Sequence, residues 1–290
     1  MQNNTILVTG GAGFIGSHLI AALLKIPGAR VLSLDNYFSG MKENHIAGAE
    51  YIEGHTKDIE QLIHDKPDIV FHLGEYSRVE RSFGDMETVW DLNTHGTFRV
   101  LEFCRKHGCK MVYAGSSTKF SDGDAGRDQS PYAWTKAANT DLVQNYGSWF
   151  GIPFAITYFY NVYGPREIAT GPHATVIGIF KEKFLRGEPL PVVSPGTQRR
   201  NFTHVLDIVD GLVRVGERGA GDGFGLGASE DYSILEVANM FGGAVTMLPP
   251  RQGNRMSGVL NTKRATEELG WKPTRHLEDY IREVAASKNS

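Results

Sequence analysis

Short apolar runs alternate with apolar stripes of helical spacing along the first half of the chain. Ile6, Leu7 and Val8 form a run rich in β-branched residues, which reads as a buried strand. It breaks at Gly10-Gly11-Ala12-Gly13, and the apolar positions resume at Phe14, Ile15, Leu19, Ile20 and Leu23, the spacing of a helix. Further strands are predicted at 30–34, ending on Asp35, at 50–53, at 68–72 behind Pro67, at 110–114 and at 153–159. Helices are predicted from about Asp58 to His64, from about Met86 to His107 and from about Tyr132 to Phe150. Repeated units of this kind predict an α/β fold with a doubly wound parallel sheet covered by helices on both faces. Ligands on such sheets sit beyond the carboxyl ends of the strands.

From about Gly164 the rhythm changes. Proline and glycine become frequent, as at Pro165, Gly171, Pro172, Gly187, Pro189, Pro191, Pro195 and Gly196. We therefore expect a Rossmann-type domain over residues 1–163. Residues 164–290 are expected to form mainly a smaller substrate-binding lobe, with some chain returning to the first domain. At 290 residues, 41% hydrophobic and 22% charged, the chain has ample material for such a core. A formal charge of -3 offers no bulk attraction to nucleic acid or to an acidic membrane surface. No apolar run reaches the length of a membrane span, and the first strand begins at once, so a cytoplasmic location is the default expectation. The two cysteines, Cys104 and Cys109, lack metal-like spacing and read as free thiols. The ten histidines form no metal-binding pattern, so no metal site is expected.

Candidate chemistry begins at the glycine turn. A strand–turn–helix aims unpaired backbone N–H groups and the positive end of the helix dipole at a phosphate. Glycine suits the turn because a Cβ would block an approaching pyrophosphate, and Gly16 lets the helix lie close on the strand. The acid at Asp35, about 20 residues beyond the turn, completes a dinucleotide fingerprint. A carboxylate there accepts from both ribose hydroxyls and repels a 2′-phosphate, which points to NAD rather than NADP. The bland alternative for Asp35 is a solvated loop aspartate.

A second constellation lies at Ser130 to Lys136. Tyr132 and Lys136 are four apart and share one helix face. A tyrosine hydroxyl is a poor base at neutral pH, and a neighbouring ammonium that lowered its pKa by about 3 would supply roughly 4 kcal/mol. A tyrosine and lysine at this spacing are common as mere surface residues. The serine-rich strand end at Ser116 and Ser117 changes the odds, because its hydroxyls would project where a substrate hydroxyl could bridge serine and tyrosine.

Together these motifs resemble the extended short-chain dehydrogenase/reductases, in particular the NAD-dependent nucleotide-sugar epimerase/dehydratase family. The resemblance spans nearly the whole chain. It runs through Thr9 to His18, His72-Leu73-Gly74 with Val79 and Ser82, Asn93 with Gly96 and Thr97, and Ser116-Ser117. It continues through Tyr132 and Lys136, Tyr160 to Arg166, Gly196 to Phe202 before Asp207, and Leu269 to Pro273. The resemblance implies that Tyr132 is the base, that Lys136 lowers its pKa and holds the nicotinamide ribose, and that Ser116 or Ser117 binds the reacting hydroxyl. Gly10, Gly13, Phe14, Ile15 and Gly16 would hold the pyrophosphate, and Asp35 with Asn36 the adenosine ribose. Leu73 and Gly74 would line the dinucleotide, and Asn93 would lie near its nicotinamide half. Asn161, Arg200 and Arg251 match positions that hold the sugar nucleotide's diphosphate, although both arginines could equally be solvated surface charges. A homodimer formed through the two long helices is also implied.

The chain departs from the family pattern in places. The loop between the serines and Tyr132 is trimmed to residues 122–129, and the usual Gly-Asp pair that reads adenine appears as Gly54-His55. His55, Thr56 or a shifted Asp58 could take that role, with Asp58 the choice we carry forward. Glu75, Tyr76 and Arg78 are bulkier or more charged than the small residues expected near the sugar. The serine motif carries no carboxylate, unlike the dehydratase and decarboxylase spellings. The simplest implied cycle is a 4-epimerase acting on a nucleotide sugar, such as a UDP-hexose or UDP-N-acetylhexosamine, with transient C4 oxidation by bound NAD. Alternatives are a net dehydrogenase, keto-reductase or dehydratase of the same family, or a dinucleotide-binding protein without catalysis.

Overall fold

The computed structural model describes residues 1–120, 125–250, 256 and 258–288. Seven parallel strands make the central sheet: β1 (Thr5–Thr9), β2 (Arg30–Asp35), β3 (Glu50–Glu53), β4 (Ile69–His72), β5 (Lys110–Ser116), β6 (Phe154–Phe159) and β7 (Gly221–Leu226). Their spatial order is β7-β6-β5-β4-β1-β2-β3. The order reverses at β1, which pairs with β2 on one side and β4 on the other. A crevice for a ligand therefore opens beyond the carboxyl ends of β1 and β4. Ile6, Leu7 and Val8 are fully buried, as a strand at the middle of such a sheet requires.

Helices cover both faces. On one side α1 (Phe14–Leu23) packs beside a helix at Val205–Arg218 and buried Trp271, together with Ile6, Val8, Phe71 and Leu226. On the other, the helices Gly96–His107 and Pro131–Phe150 contribute Val100, Leu101, Phe103, Val143 and Tyr146 against Leu7, Leu32, Val70 and Met111. Cys104 and Cys109 are free and buried on that side. The chain after 164 thus supplies a helix and an edge strand to the main sheet. Three two-stranded pairings and a further core around Phe180, Val192, Val237 and Ile281 form the rest. Asp207 ties these parts together, accepting from the backbone N–H groups of Thr274 and Arg275 while its carbonyl accepts from the Trp271 indole.

Two predicted helices have a different local form. The one expected at 58–64 is a 3-10 turn over Thr56–Asp58 followed by a single α-turn at Ile59–Leu62. The long helix of 86–107 is continuous, but its segment Trp90–His95 is wound as a π-helix. A π-segment frees carbonyls from the regular ladder and often lies at a functional site. Here the Asn93 carbonyl accepts from the Asn139 side-chain amide at 2.9 Å, which binds this helix to Pro131–Phe150. Among the described residues no helix is long and apolar enough to cross a membrane.

Candidate active site

One cleft of about 490 Å³ runs over the carboxyl ends of the strands. Gly10, Gly13, Phe14, Ile15 and Gly16 form one wall, and Ser116, Ser117, Tyr132 and Lys136 another. Leu73 and Gly74, after β4, lie between them, Asp35 and Asn36 line the end beyond β2, and Asn161 faces in from the chain after β6.

The glycine turn is built for close approach of backbone. Gly10 has φ +72°, and a Cβ on it would lie 2.9 Å from the Gly74 backbone. A Cβ on Gly16 would fall 2.1 Å from the Gly10 carbonyl oxygen, so helix α1 can sit on its turn only with glycine here. The α1 N-terminus carries no side-chain cap, which leaves its N–H groups facing the cleft for an anion. Asp35 ends β2 with its carboxylate accepting from Ala12 N–H at 2.9 Å and Tyr37 N–H at 2.8 Å. Burial pushes its pKa up, and these two donors oppose that rise. The carboxylate thereby fixes the turn and marks the cleft end beyond β2.

The second wall owes its shape to a helix start. Ser130 caps the helix Pro131–Phe150, its Oγ accepting from Ala133 N–H at 3.1 Å, with Pro131 in the first turn. Tyr132 is therefore held in the first turn, and Lys136 one turn later on the same side. Ser116 is the last residue of β5, and its Oγ lies 2.8 Å from the Thr118 hydroxyl. The Lys136 ammonium donates to the Ala114 carbonyl and to Glu75, and stands 4.4 Å from the centre of the Tyr113 ring.

Other residues expected at the site are placed elsewhere. Asn93 is fully buried off the cleft wall, its amide spent on the Tyr76 backbone at 2.7 Å and the Thr135 hydroxyl at 3.0 Å. Gly54 and Thr56 line the cleft, whereas Asp58 does not. Arg200 lies on the short strand Arg199–Asn201 and donates to the Arg199 carbonyl, away from the lining. Arg251 falls outside the described residues.

Three lining residues carry chemistry that the motifs did not assign. Glu75 is the partner of Lys136. Arg78 reaches across to the His173 carbonyl, and His173 packs 5.0 Å from the Phe38 ring, so the segment at 173 roofs the cleft. Glu167 is half-buried, accepts from the Thr175 hydroxyl and from Gly164 N–H, and has its pKa pushed up to about 7 by desolvation of its carboxyl. The only signal in sequence was a charged residue directly after a strand end or a Gly-Pro turn, which by itself reads as loop.

The model of the NAD-dependent epimerase/dehydratase family matches residues 6–227 of this chain. The protein belongs to this family. Among its relatives is a UDP-glucose 4-epimerase of Mycolicibacterium smegmatis, 33% identical over 95% of each chain. A putative UDP-glucose 4-epimerase of Methanocaldococcus jannaschii is 31% identical over 96% of each. Among solved structures, the UDP-glucose 4-epimerase of Thermotoga maritima with UDP-glucose superposes with a TM-score of 0.89 at 27% identity, covering 97% of both chains. The cleft fits the family's cofactor on its own terms. The glycine cradle would be filled by any Cβ, and the buried carboxylate at the end of β2 suits a ribose diol.

Proposed function

We propose that the protein is an NAD-dependent nucleotide-sugar 4-epimerase acting on a UDP-hexose or UDP-N-acetylhexosamine. The observation that carries this is the meeting of Ser116, Ser117, Tyr132 and Lys136 on one wall of the cleft whose other wall is the glycine turn. Bound NAD supplies the hydride acceptor and donor. The Tyr132 phenolate takes the proton of the sugar's C4 hydroxyl as hydride leaves C4, and the resulting hydroxyl returns a proton to the same oxygen on reduction. Ser116 or Ser117 donates a hydrogen bond to that oxygen and orients it. Lys136 places a positive charge behind the tyrosine. Inversion requires only that the keto sugar turn over before reduction, and the serine motif offers no carboxylate for elimination of water. The Mycolicibacterium and Thermotoga relatives named as UDP-glucose 4-epimerases support this substrate class.

In the same reading Gly10 to Gly16 hold the pyrophosphate of NAD, and Asp35 with Asn36 its adenosine ribose. Asn161, which lines the cleft, holds the sugar nucleotide's diphosphate against a lobe formed mainly by residues 164–290. The enzyme acts in the cytoplasm as a homodimer. Exposed Phe98, Trp149 and Phe150 on the two long helices supply an apolar surface for that pairing. The test is mass spectrometry of nucleotides retained by the purified protein, followed by proton NMR of UDP-glucose, UDP-galactose and their N-acetylated forms. C4 inversion without added cofactor is the expected result. Net release of NADH in step with substrate would show a dehydrogenase instead.

A further inference from the structure

Glu75 stands directly after the Leu73-Gly74 floor of the cleft, and its side chain is only 3% exposed. Four donors converge on its carboxylate. Oε1 accepts from the Thr97 hydroxyl at 2.9 Å, the Asn139 amide at 2.9 Å and the Tyr113 hydroxyl at 3.1 Å, while Oε2 accepts from the Lys136 ammonium. With its acceptor sites occupied in this way, the carboxylate is not placed to serve as a base. It is placed to hold a cation.

A directed chain of hydrogen bonds leads to it from the glycine turn. Gly74 N–H donates to the Thr9 hydroxyl at 3.0 Å, which lies 2.7 Å from His72 Nδ1. His72 Nε2 lies 3.0 Å from the Thr97 hydroxyl, which in turn donates to Glu75. Because Thr97 gives its proton to Glu75, His72 must donate through Nε2 and accept through Nδ1. Full burial pushes the pKa of His72 down to about 4, which keeps the ring in the neutral form this chain of bonds needs.

A buried ion pair is seldom a net stabiliser, since desolvation of both charges offsets their attraction. Its presence against the cleft therefore calls for a functional account. Lys136 has three N–H donors; Glu75 and the Ala114 carbonyl take two, leaving one for the cleft. An unaccompanied ammonium would also repel the positive ring of oxidised nicotinamide, whereas reduced nicotinamide is neutral.

We propose that Glu75 is a positioning residue that fixes the Lys136 ammonium and offsets its charge, so that the cleft favours oxidised over reduced cofactor. This rests on the reading of the cleft as the NAD site. An enzyme that ends each cycle with NAD requires that bias, because bound NADH without a keto sugar is a dead end. A unit charge shifts the equilibrium of another cation about 10 Å away by roughly tenfold at an effective dielectric of about 20.

The experiment strips nucleotide from the full-length protein and measures dissociation constants for NAD and NADH separately by calorimetry. It compares wild type, Glu75→Gln and Glu75→Asp, with melting curves confirming the fold. The ratio of the NAD constant to the NADH constant should rise about fivefold or more in Glu75→Gln. In Glu75→Asp, whose shorter carboxylate withdraws from the ammonium, it should rise about twofold in the same direction. Should the glutamine variant fail to fold, the aspartate variant carries the test. Equal changes in both constants, or none, would overturn the inference and leave the function proposed above intact. Failure of wild type to bind either nucleotide would instead refute the reading of the cleft, and this inference with it.

Discussion

Glu167 gives the cleft a built-in pH dependence of stability that one substitution should expose. Its carboxyl is buried beside the cleft, with its pKa raised from 4.5 to about 7 chiefly by burial; bonds from Thr175, Gly164 and Gly178 and the charge of Arg78 oppose the rise only in part. Between these two values the unfolded chain has lost the proton while the folded chain keeps it. Stability therefore falls as pH rises through this window, and the loss is complete above about pH 7. The difference between 4.5 and about 7 corresponds to roughly 3 kcal/mol. Glu167→Gln mimics the protonated acid and cannot ionise. Urea unfolding of wild type and variant at about pH 4.5 and about pH 8 isolates the effect, because all other groups cancel in the comparison. The variant should gain roughly 3 kcal/mol on wild type between the two conditions. A gap that stays constant to within about 1 kcal/mol would show that the carboxyl is ionised in the folded protein at neutral pH, and would refute the reasoning.

Three further outcomes follow from the same geometry. Tyr132→Phe removes the proton-transfer hydroxyl and leaves the wall intact, so kcat should fall by about 100-fold to 10,000-fold with little change in nucleotide-sugar affinity, as steady-state kinetics and calorimetry would show. In Gly16→Ala the new methyl meets the Gly10 carbonyl at 2.1 Å. The turn must move, and mass spectrometry of the purified variant should find NAD retention lost while circular dichroism still reports a folded chain. Trp149 is 62% exposed near the end of its helix; with the dimer proposed above, light scattering should find wild type at twice the chain mass and Trp149→Glu at the chain mass, still folded.

The parts of the site legible in sequence are those whose geometry is local. The turn from Gly10 to Gly16 is a single strand–turn–helix, and Asp35 follows at the end of the next strand, so spacing alone places all of them. Tyr132 and Lys136 lie four apart on one helix, so their shared face follows from spacing alone. Ser116 and Ser117 were visible as hydroxyls at a strand end. What spacing could not show were pairings across the fold. Glu75 meets Lys136 from 61 positions away, and Arg78 meets His173 from 95. Asn93 was marked only by the family resemblance, and its partners Tyr76 and Thr135, which come from other elements, hold its amide away from the cleft. The π-helical turn at Trp90–His95 is equally silent in sequence, since it keeps the helical run of residues and alters only which carbonyl each N–H meets.

In the proposed cycle hydride leaves and re-enters the same sugar carbon within one cleft. The most direct measurement uses UDP-galactose carrying deuterium at C4, incubated with the protein as purified and followed by NMR and mass spectrometry. The expected product is UDP-glucose that keeps the deuterium at C4, with no build-up of NADH. Loss of the label to solvent, or accumulation of reduced cofactor in step with an oxidised sugar, would contradict it.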